Sequence, residues 1–203
     1  MKSETVLVDI LTILILAIDF GLSIWNAYAS GLNVETLRRE GGSSWLRVVA
    51  YSGLGLAYSG ASYVMVIVVG YAAYALGYVS ADAVDGVLGL DFLFFGILII
   101  GFGLMVAIQS IIVAFERKSF GSVAIAIWNV FAEIWDIASY AEGFGEAVSL
   151  VRGAGSDERD ETSIVLIVIV ALLIAYFIIH AAYIHGKRKV QGSGSAAGDR
   201  TFY

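Results

Sequence analysis

Long apolar runs separated by short polar connections dominate the chain, and five of these runs are long enough to cross a membrane. A helix needs about 20 mostly apolar residues to cross roughly 30 Å of hydrocarbon. The five predicted spans cover residues 5–29, 45–79, 91–115, 122–151 and 163–185. The pattern therefore predicts an all-α, polytopic integral membrane helix bundle formed by residues 1–185.

The second run raises a question about the number of crossings. Its length of about 35 residues corresponds to a helix of about 50 Å. A break at Gly53, Gly55 or Gly60 would divide it into two half-spans and give six crossings. Each half would then be barely long enough to cross the hydrocarbon core. We therefore prefer one long helix that tilts or extends into water.

Composition supports a membrane protein and removes several other classes. Hydrophobic residues make up 59% of the chain and charged residues 15%, against about 45–50% and about 25% in soluble domains. The chain has no Cys, which excludes disulfides, thiolate-held metal centres and thiol nucleophiles. Its net charge of -6 argues against a nucleic-acid partner. We expect a multi-pass protein of the cell membrane, surrounded by the lipid bilayer.

The basic residues predict the orientation of the chain, because they favour the cytoplasmic side of a membrane. With five crossings, one side collects Arg38, Arg39, Arg47, Arg117, Lys118, Lys187, Arg188, Lys189 and Arg200. The other side holds only Lys2, Arg152 and Arg159. This bias places the N-terminus outside and the C-terminus inside. Residues 186–203 then form a cytoplasmic tail that is basic at first and rich in Gly and Ser afterwards.

Carboxylates inside the apolar runs are the main functional signal. The first span carries Asp9 and Asp19 and the fourth carries Glu133 and Asp136, whereas the central part of each span lacks Lys and Arg. Charged side chains inside a membrane are costly and are functional candidates by default. Each carboxylate must be protonated, reach water or bind a cation. The structural alternative is that these groups are neutral and pack against polar neighbours inside the bundle.

Helical spacing arranges the carboxylates on two polar stripes, since residues three or four apart share one face of a helix. The stripe on the fourth span comprises Asn129, Glu133, Asp136 and Tyr140. The stripe on the first span comprises Asp19, Ser23, Asn26 and Ser30. Because these spans run in opposite directions, Asp19 and Asp136 are predicted to lie together near the bilayer centre.

We expect four helices to converge on a polar chamber that opens to the cytoplasm. Gln109 on the third span and His180 on the fifth fall in the inner half of the membrane. Tyr58 and Tyr63 on the second span need hydrogen-bond partners, for which the carboxylates are candidates. The candidate metal ligands are Asp19, Glu133, Asp136 and His180. The candidate ion pathway comprises Asn26, Gln109, Asn129 and Tyr140.

The sequence does not identify a cofactor. A divalent metal ion is the candidate, because carboxylates and imidazoles are common metal ligands. The alternative for His180 is a neutral histidine that is hydrogen-bonded inside the bundle. A bis-histidine haem is not expected. The only two histidines, His180 and His185, lie on one predicted helix and cannot face each other across a haem.

Three functions are compatible with these features. The first is a small channel or transporter for protons or metal ions. The second is a structural or accessory subunit of a larger membrane complex. A homo-oligomer or a membrane-complex partner is expected in addition to the bilayer and the cations. The third is an intramembrane metal-dependent enzyme, but no recognisable motif supports it and no catalytic residue is assigned.

Overall fold

The computed structural model describes residues 2–41, 44–153 and 158–192, and these residues form five long α-helices. They are α1 (Lys2–Glu40), α2 (Ser44–Ala75), α3 (Ala81–Arg117), α4 (Phe120–Gly153) and α5 (Glu158–Gly192). Each contains a stretch that is long and apolar enough to cross a membrane. The predicted all-α membrane fold with five spans is therefore confirmed. The Gly/Ser-rich part of the predicted tail, residues 193–203, lies outside the described residues.

The second apolar run is one helix. Gly53, Gly55 and Gly60 all lie inside α2, which is unbroken between Ser44 and Ala75. Gly53 faces the Ser30 side chain and Gly60 faces the Ser23 side chain, both on α1. Small residues allow close approach of helices in a membrane. The glycines of α2 therefore permit packing against α1 and do not divide the span.

Helix α3 begins at Ala81, well before the predicted start at residue 91. Ser80 caps its N-terminus, where the side-chain oxygen accepts a hydrogen bond from the Ala83 backbone N–H at 3.3 Å. Asp82 lies in the first turn, where a negative charge favours a helix N-terminus. The expectation that this helix starts at Asp91 is wrong. Asp91 lies inside the helix, within the apolar candidate span Ala81–Glu116.

Helices α1 and α5 also extend past their predicted ends, to Glu40 and Gly192. In the extension of α1, Glu35 is fully buried, with 0% of its surface exposed. Arg38 donates to Glu35 Oε1 at 2.6 Å, and Arg39 donates to the same oxygen at 3.1 Å. Because these charged residues satisfy one another within the helix, they do not end it.

The five helices divide into two groups joined in the middle. Among the described residues, α1 and α5 pack on each other and on α2, whereas α4 packs on α3 alone. Contacts between α2 and α3 connect the groups. Tyr58 on α2 is hydrogen-bonded to His180 on α5, and Val66 packs in one cluster with Ala171. Helix α5 therefore runs antiparallel to α2.

The alternating helix directions bring basic residues to one end of the molecule, which we call the basic end. It carries Arg38, Arg39, Arg47, Lys118, Lys187, Arg188 and Lys189. This is the grouping expected of a cytoplasmic end. The orientation of the termini across the membrane stays a prediction.

The closest helix crossing joins α1 to α5 near the basic end. A methyl group on Gly31 would overlap the backbone oxygen of Tyr183, and one on Gly186 would overlap that of Tyr28. The neighbouring core includes Ala27, which is fully buried. Two facing glycines thus allow the backbones of α1 and α5 to touch.

Replacing Gly31 with Val should force α1 away from α5. We expect a loss of about 1–3 kcal/mol in the free energy of unfolding, which is typical of overpacking. Denaturant titration of the purified protein in detergent micelles measures this loss. Gly21→Val is the matched control on the same helix, because a Cβ atom at Gly21 meets nothing within 4 Å. Equal stability of the two variants would contradict the close crossing.

Candidate functional site

The candidate site is built on the line of contact between α3 and α4, which we call the α3–α4 seam. Its register is defined by three contacts, Gly89 with Ala147, Gly96 with Tyr140 and Gly103 with Glu133. These contacts recur every seven residues on both helices, and this period keeps one face of each long helix against the other. Small residues on α3 therefore face α4 along most of the membrane.

Glu133 is buried inside the α3–α4 seam. It is 5% exposed, and a methyl group on Gly103 would overlap its Oε2 atom. Its other carboxyl oxygen, Oε1, has no hydrogen-bond partner among the described residues. The missing side chain at Gly103 thus provides the space in which the carboxyl group lies. The α3–α4 register places Gly103 opposite Glu133 and so provides this space.

Two further carboxyl groups, those of Asp136 and Asp19, form an acidic region together with Glu133. Asp136 is half-buried and lies one turn along α4, within electrostatic range of Glu133. It is also within electrostatic range of Asp19 on α1. Asp19 is exposed on the surface of the isolated chain. The three predicted carboxylates therefore lie in one acidic region, although α1 and α4 do not contact each other among the described residues.

A fourth carboxyl group, which the sequence analysis did not assign, belongs to the same region. Asp91 on α3 is 5% exposed, and neither carboxyl oxygen has a hydrogen-bond partner among the described residues. Tyr63 on α2 lies within electrostatic range of both Asp91 and Asp19. The signal that could have revealed Asp91 is the apolar sequence on both sides of it, preceded by the Ser80 cap.

The predicted pathway residues occupy several environments. Gln109 is buried on α3, and Asn129 is half-buried on α4. Both lie between Glu133 and the basic end, as the α3–α4 register requires. Asn26 is half-buried on α1. Tyr140 donates a 3.1 Å hydrogen bond to the backbone oxygen of Leu93, so its hydroxyl group already has a partner in α3.

His180 lies apart from the carboxylates, in an aromatic group on α2 and α5. His180 Nδ1 and Tyr58 Oη share a hydrogen bond of 3.2 Å. The Tyr176 ring stacks on both residues, with centroids 5.8 Å from Tyr58 and 5.3 Å from His180. An open, mostly apolar groove of about 380 Å³ beside them is lined by Tyr58, Ser62, Ile169, Leu172, Leu173 and Tyr176. The hydrogen-bond partner of Tyr58 is thus a histidine and not a carboxylate.

The expected convergence of four helices on one chamber is not observed among the described residues. Helix α4 contacts neither α1 nor α5 there, because it packs on α3 alone. The described residues also contain no group of three or more His, Asp or Glu that could hold a metal ion. Metal sites in proteins commonly have three or more side-chain ligands. Within the described part of the chain, therefore, the four candidate ligands are not gathered at one point.

The chain matches no protein-family model, no curated protein and no solved structure. Its own geometry is therefore the basis for inferring a function. The distinguishing features are two buried carboxyl groups, Asp91 and Glu133, whose oxygens lack partners within the described part of the chain, and two more carboxyl groups in electrostatic range of this region.

Replacing Gly103 with Ala should displace the Glu133 carboxyl group and cost about 1–3 kcal/mol of unfolding free energy. In a Glu133→Ala background the same replacement should cost much less, because the space is then free. A double-mutant cycle, measured by denaturant titration, reports the difference as a coupling energy. Gly101→Ala is the control, since a Cβ atom at Gly101 meets nothing within 4 Å. Simple additivity of the two replacements would contradict the contact.

Proposed function

We propose that this protein is a small membrane channel or transporter that handles cations through carboxyl groups inside the bilayer. The observation that carries the proposal is the burial of Asp91 and Glu133 within membrane-spanning helices. Three of their four carboxyl oxygens have no hydrogen-bond partner among the described residues. A buried carboxylate is strongly unfavourable unless a positive charge or a proton compensates it. A transported cation is a ligand that meets this need.

Among the described residues, no basic side chain forms an ion pair with these carboxylates. The segments 3–37, 48–116, 119–151 and 160–186 contain neither Lys nor Arg. The Glu35 pairs with Arg38 and Arg39 lie near the basic end, outside the carboxylate region. The described part of the chain therefore supplies no compensating positive charge, and a proton or another cation fills this need.

The polar residues near the α3–α4 seam are distributed through the depth of the membrane, which a pathway requires. Asp91 lies toward the end opposite the basic end, and Gln109 lies toward the basic end. About 18 residues of α3 separate them, which corresponds to about 27 Å along a helix. This distance is close to the roughly 30 Å of the hydrocarbon core. Glu133 and Asp136 fall between these limits in the α3–α4 register.

A second candidate function is that of a subunit in a larger membrane assembly, and the exposure of α4 favours it. Only Ser122, Ala126, Glu133 and Ala147 are buried on this helix. Trp128 and Trp135 are exposed, so most of its surface is available to lipid or to another membrane chain. A homo-oligomer is compatible with both functions, and it would cover Asp19 and Asp136 if it formed at this face.

Asp136→Asn should abolish carboxylate-dependent flux, because the amide keeps the size of the side chain but carries no negative charge and does not take up a proton near neutral pH. Purified protein in liposomes is tested with a pH-sensitive dye and, separately, with a divalent-cation dye under an imposed membrane potential. Flux should fall to the level of protein-free liposomes. Glu142→Gln, at an exposed position of the same helix, is the control and should conduct like the unmodified protein.

Unchanged flux in a folded Asp136→Asn variant would sink the transport proposal. If the unmodified protein conducts no ion, the subunit function is preferred. The subunit function predicts that the protein purifies from its native membrane in a larger complex.

A further inference from the structure

We infer that the cation handled by this protein is the proton, and that Asp91, Asp19, Asp136 and Glu133 pass it through part of the depth of the membrane. This inference rests on the proposed cation-handling function and specifies its cargo. It also assigns a role to Asp91, which the sequence pattern left outside the candidate site.

The separation of the carboxyl groups favours a proton over a metal ion. A metal ion needs several ligands around one point, and the described residues contain no group of three or more His, Asp or Glu that could provide them. A proton needs one oxygen atom at each stop. Asp91 offers two unpartnered oxygens and Glu133 offers one, and each residue is only 5% exposed. A series of single carboxyl groups therefore suits proton transfer.

The carboxyl groups form an ordered series in depth. Tyr63 is within electrostatic range of both Asp91 and Asp19. The Gly103 contact places Glu133 about 12 residues, or about 18 Å, further along α3 than Asp91. Asp136 lies one turn from Glu133 on the side toward Asp91, and it is within electrostatic range of Asp19. Asp136 thus lies between the levels of the two buried carboxyl groups, and Asp19 lies within electrostatic range of it.

The middle members lie at the surface of the single chain. Asp19 is exposed and Asp136 is half-buried, on helices that do not contact each other. The proposed transfer between them requires hydrogen-bonded water at this position. The outer members, Asp91 and Glu133, are enclosed by protein on α3 and α4. This arrangement does not require a continuous pore that is wide enough for hydrated cations.

The other titratable groups near the series either border it or have partners elsewhere. Tyr63 borders it from α2. The Tyr140 hydroxyl group on α4 donates a hydrogen bond to the Leu93 backbone oxygen. His180 on α5 is hydrogen-bonded to Tyr58. The sequence places no Lys or Arg in the apolar segments on either side. The carboxyl groups are therefore the proton carriers of this region.

Each transfer step is a simple proton exchange. A carboxylate oxygen accepts a proton from water or from the preceding carboxylic acid, and one O–H bond forms as another breaks. The next acceptor then removes the proton and restores the carboxylate. No electron is transferred and no other bond changes. The protonated carboxyl group is neutral, so it avoids the cost of an ionised group in an apolar environment.

The test compares Asp91→Asn with Asp91→Glu in liposomes that hold the full-length protein. A potassium gradient with valinomycin drives proton uptake, which an internal pH-sensitive dye reports. We expect the unmodified protein to conduct protons, Asp91→Asn to lose conduction, and Asp91→Glu to keep part of it. Asp85→Asn, at an exposed position of the same helix, should conduct normally. Elution volume and thermal unfolding in detergent check that each variant is folded.

Parallel liposomes loaded with a divalent-cation dye and exposed to Mn²⁺ separate this inference from the underlying function. Carboxylate-dependent Mn²⁺ flux without proton flux would overturn the inference and leave the cation-handling function standing. No flux of either ion would overturn both. If Asp91→Asn does not fold, Glu133→Gln provides the second variant. Proton flux that is unchanged in a folded Glu133→Gln variant would also overturn the proposed series.

Discussion

The close approach of α3 and α4 is the constraint on which the candidate site depends. Helices in lipid gain little from burying apolar surface, so small residues that let backbones approach decide where they meet. Gly89, Gly96 and Gly103 provide such positions at a spacing of seven residues. At Gly103 the facing group is the Glu133 carboxyl. The contact that holds α4 in place therefore also removes a carboxyl group from the lipid.

Polar groups inside the helices are of three kinds. Near the basic end, Glu35 pairs with two arginines of its own helix. Between α2 and α5, His180 and Tyr58 are hydrogen-bonded to each other beneath the Tyr176 ring. Asp91 and Glu133 differ from both, because they retain unpartnered oxygens among the described residues. The first two arrangements stabilise the helix bundle, whereas the third is the basis of the proposed function.

The carboxyl groups come from both halves of the molecule, so the contact between α2 and α3 sets their relative positions. Asp19 belongs to the half formed by α1, α2 and α5, where Gly31 and Gly186 bring two backbones together. Asp91, Glu133 and Asp136 belong to the half formed by α3 and α4. Tyr63 borders both sets from α2. The relative positions of these carboxyl groups thus depend on both halves being folded and joined.

The amino-acid sequence by itself determined the all-α membrane fold and the number of spans, because hydrocarbon thickness imposes a length on each apolar helix. It also indicated Asp19, Glu133 and Asp136, since an ionisable residue in an apolar run is conspicuous whatever its neighbours are. The helix ends were less predictable. Local pairs such as Glu35 with Arg38 and the Ser80 cap extend helices through residues that look like connections.

Only the tertiary structure decided which helices share the polar groups. Residues on one helix face can be identified from their spacing, but the neighbour of that face depends on packing between distant segments. The seven-residue register therefore placed Glu133 against Gly103, and the early start of α3 placed Asp91 inside a helix. The same packing kept His180 on the α2–α5 side, because α4 contacts α3 alone among the described residues.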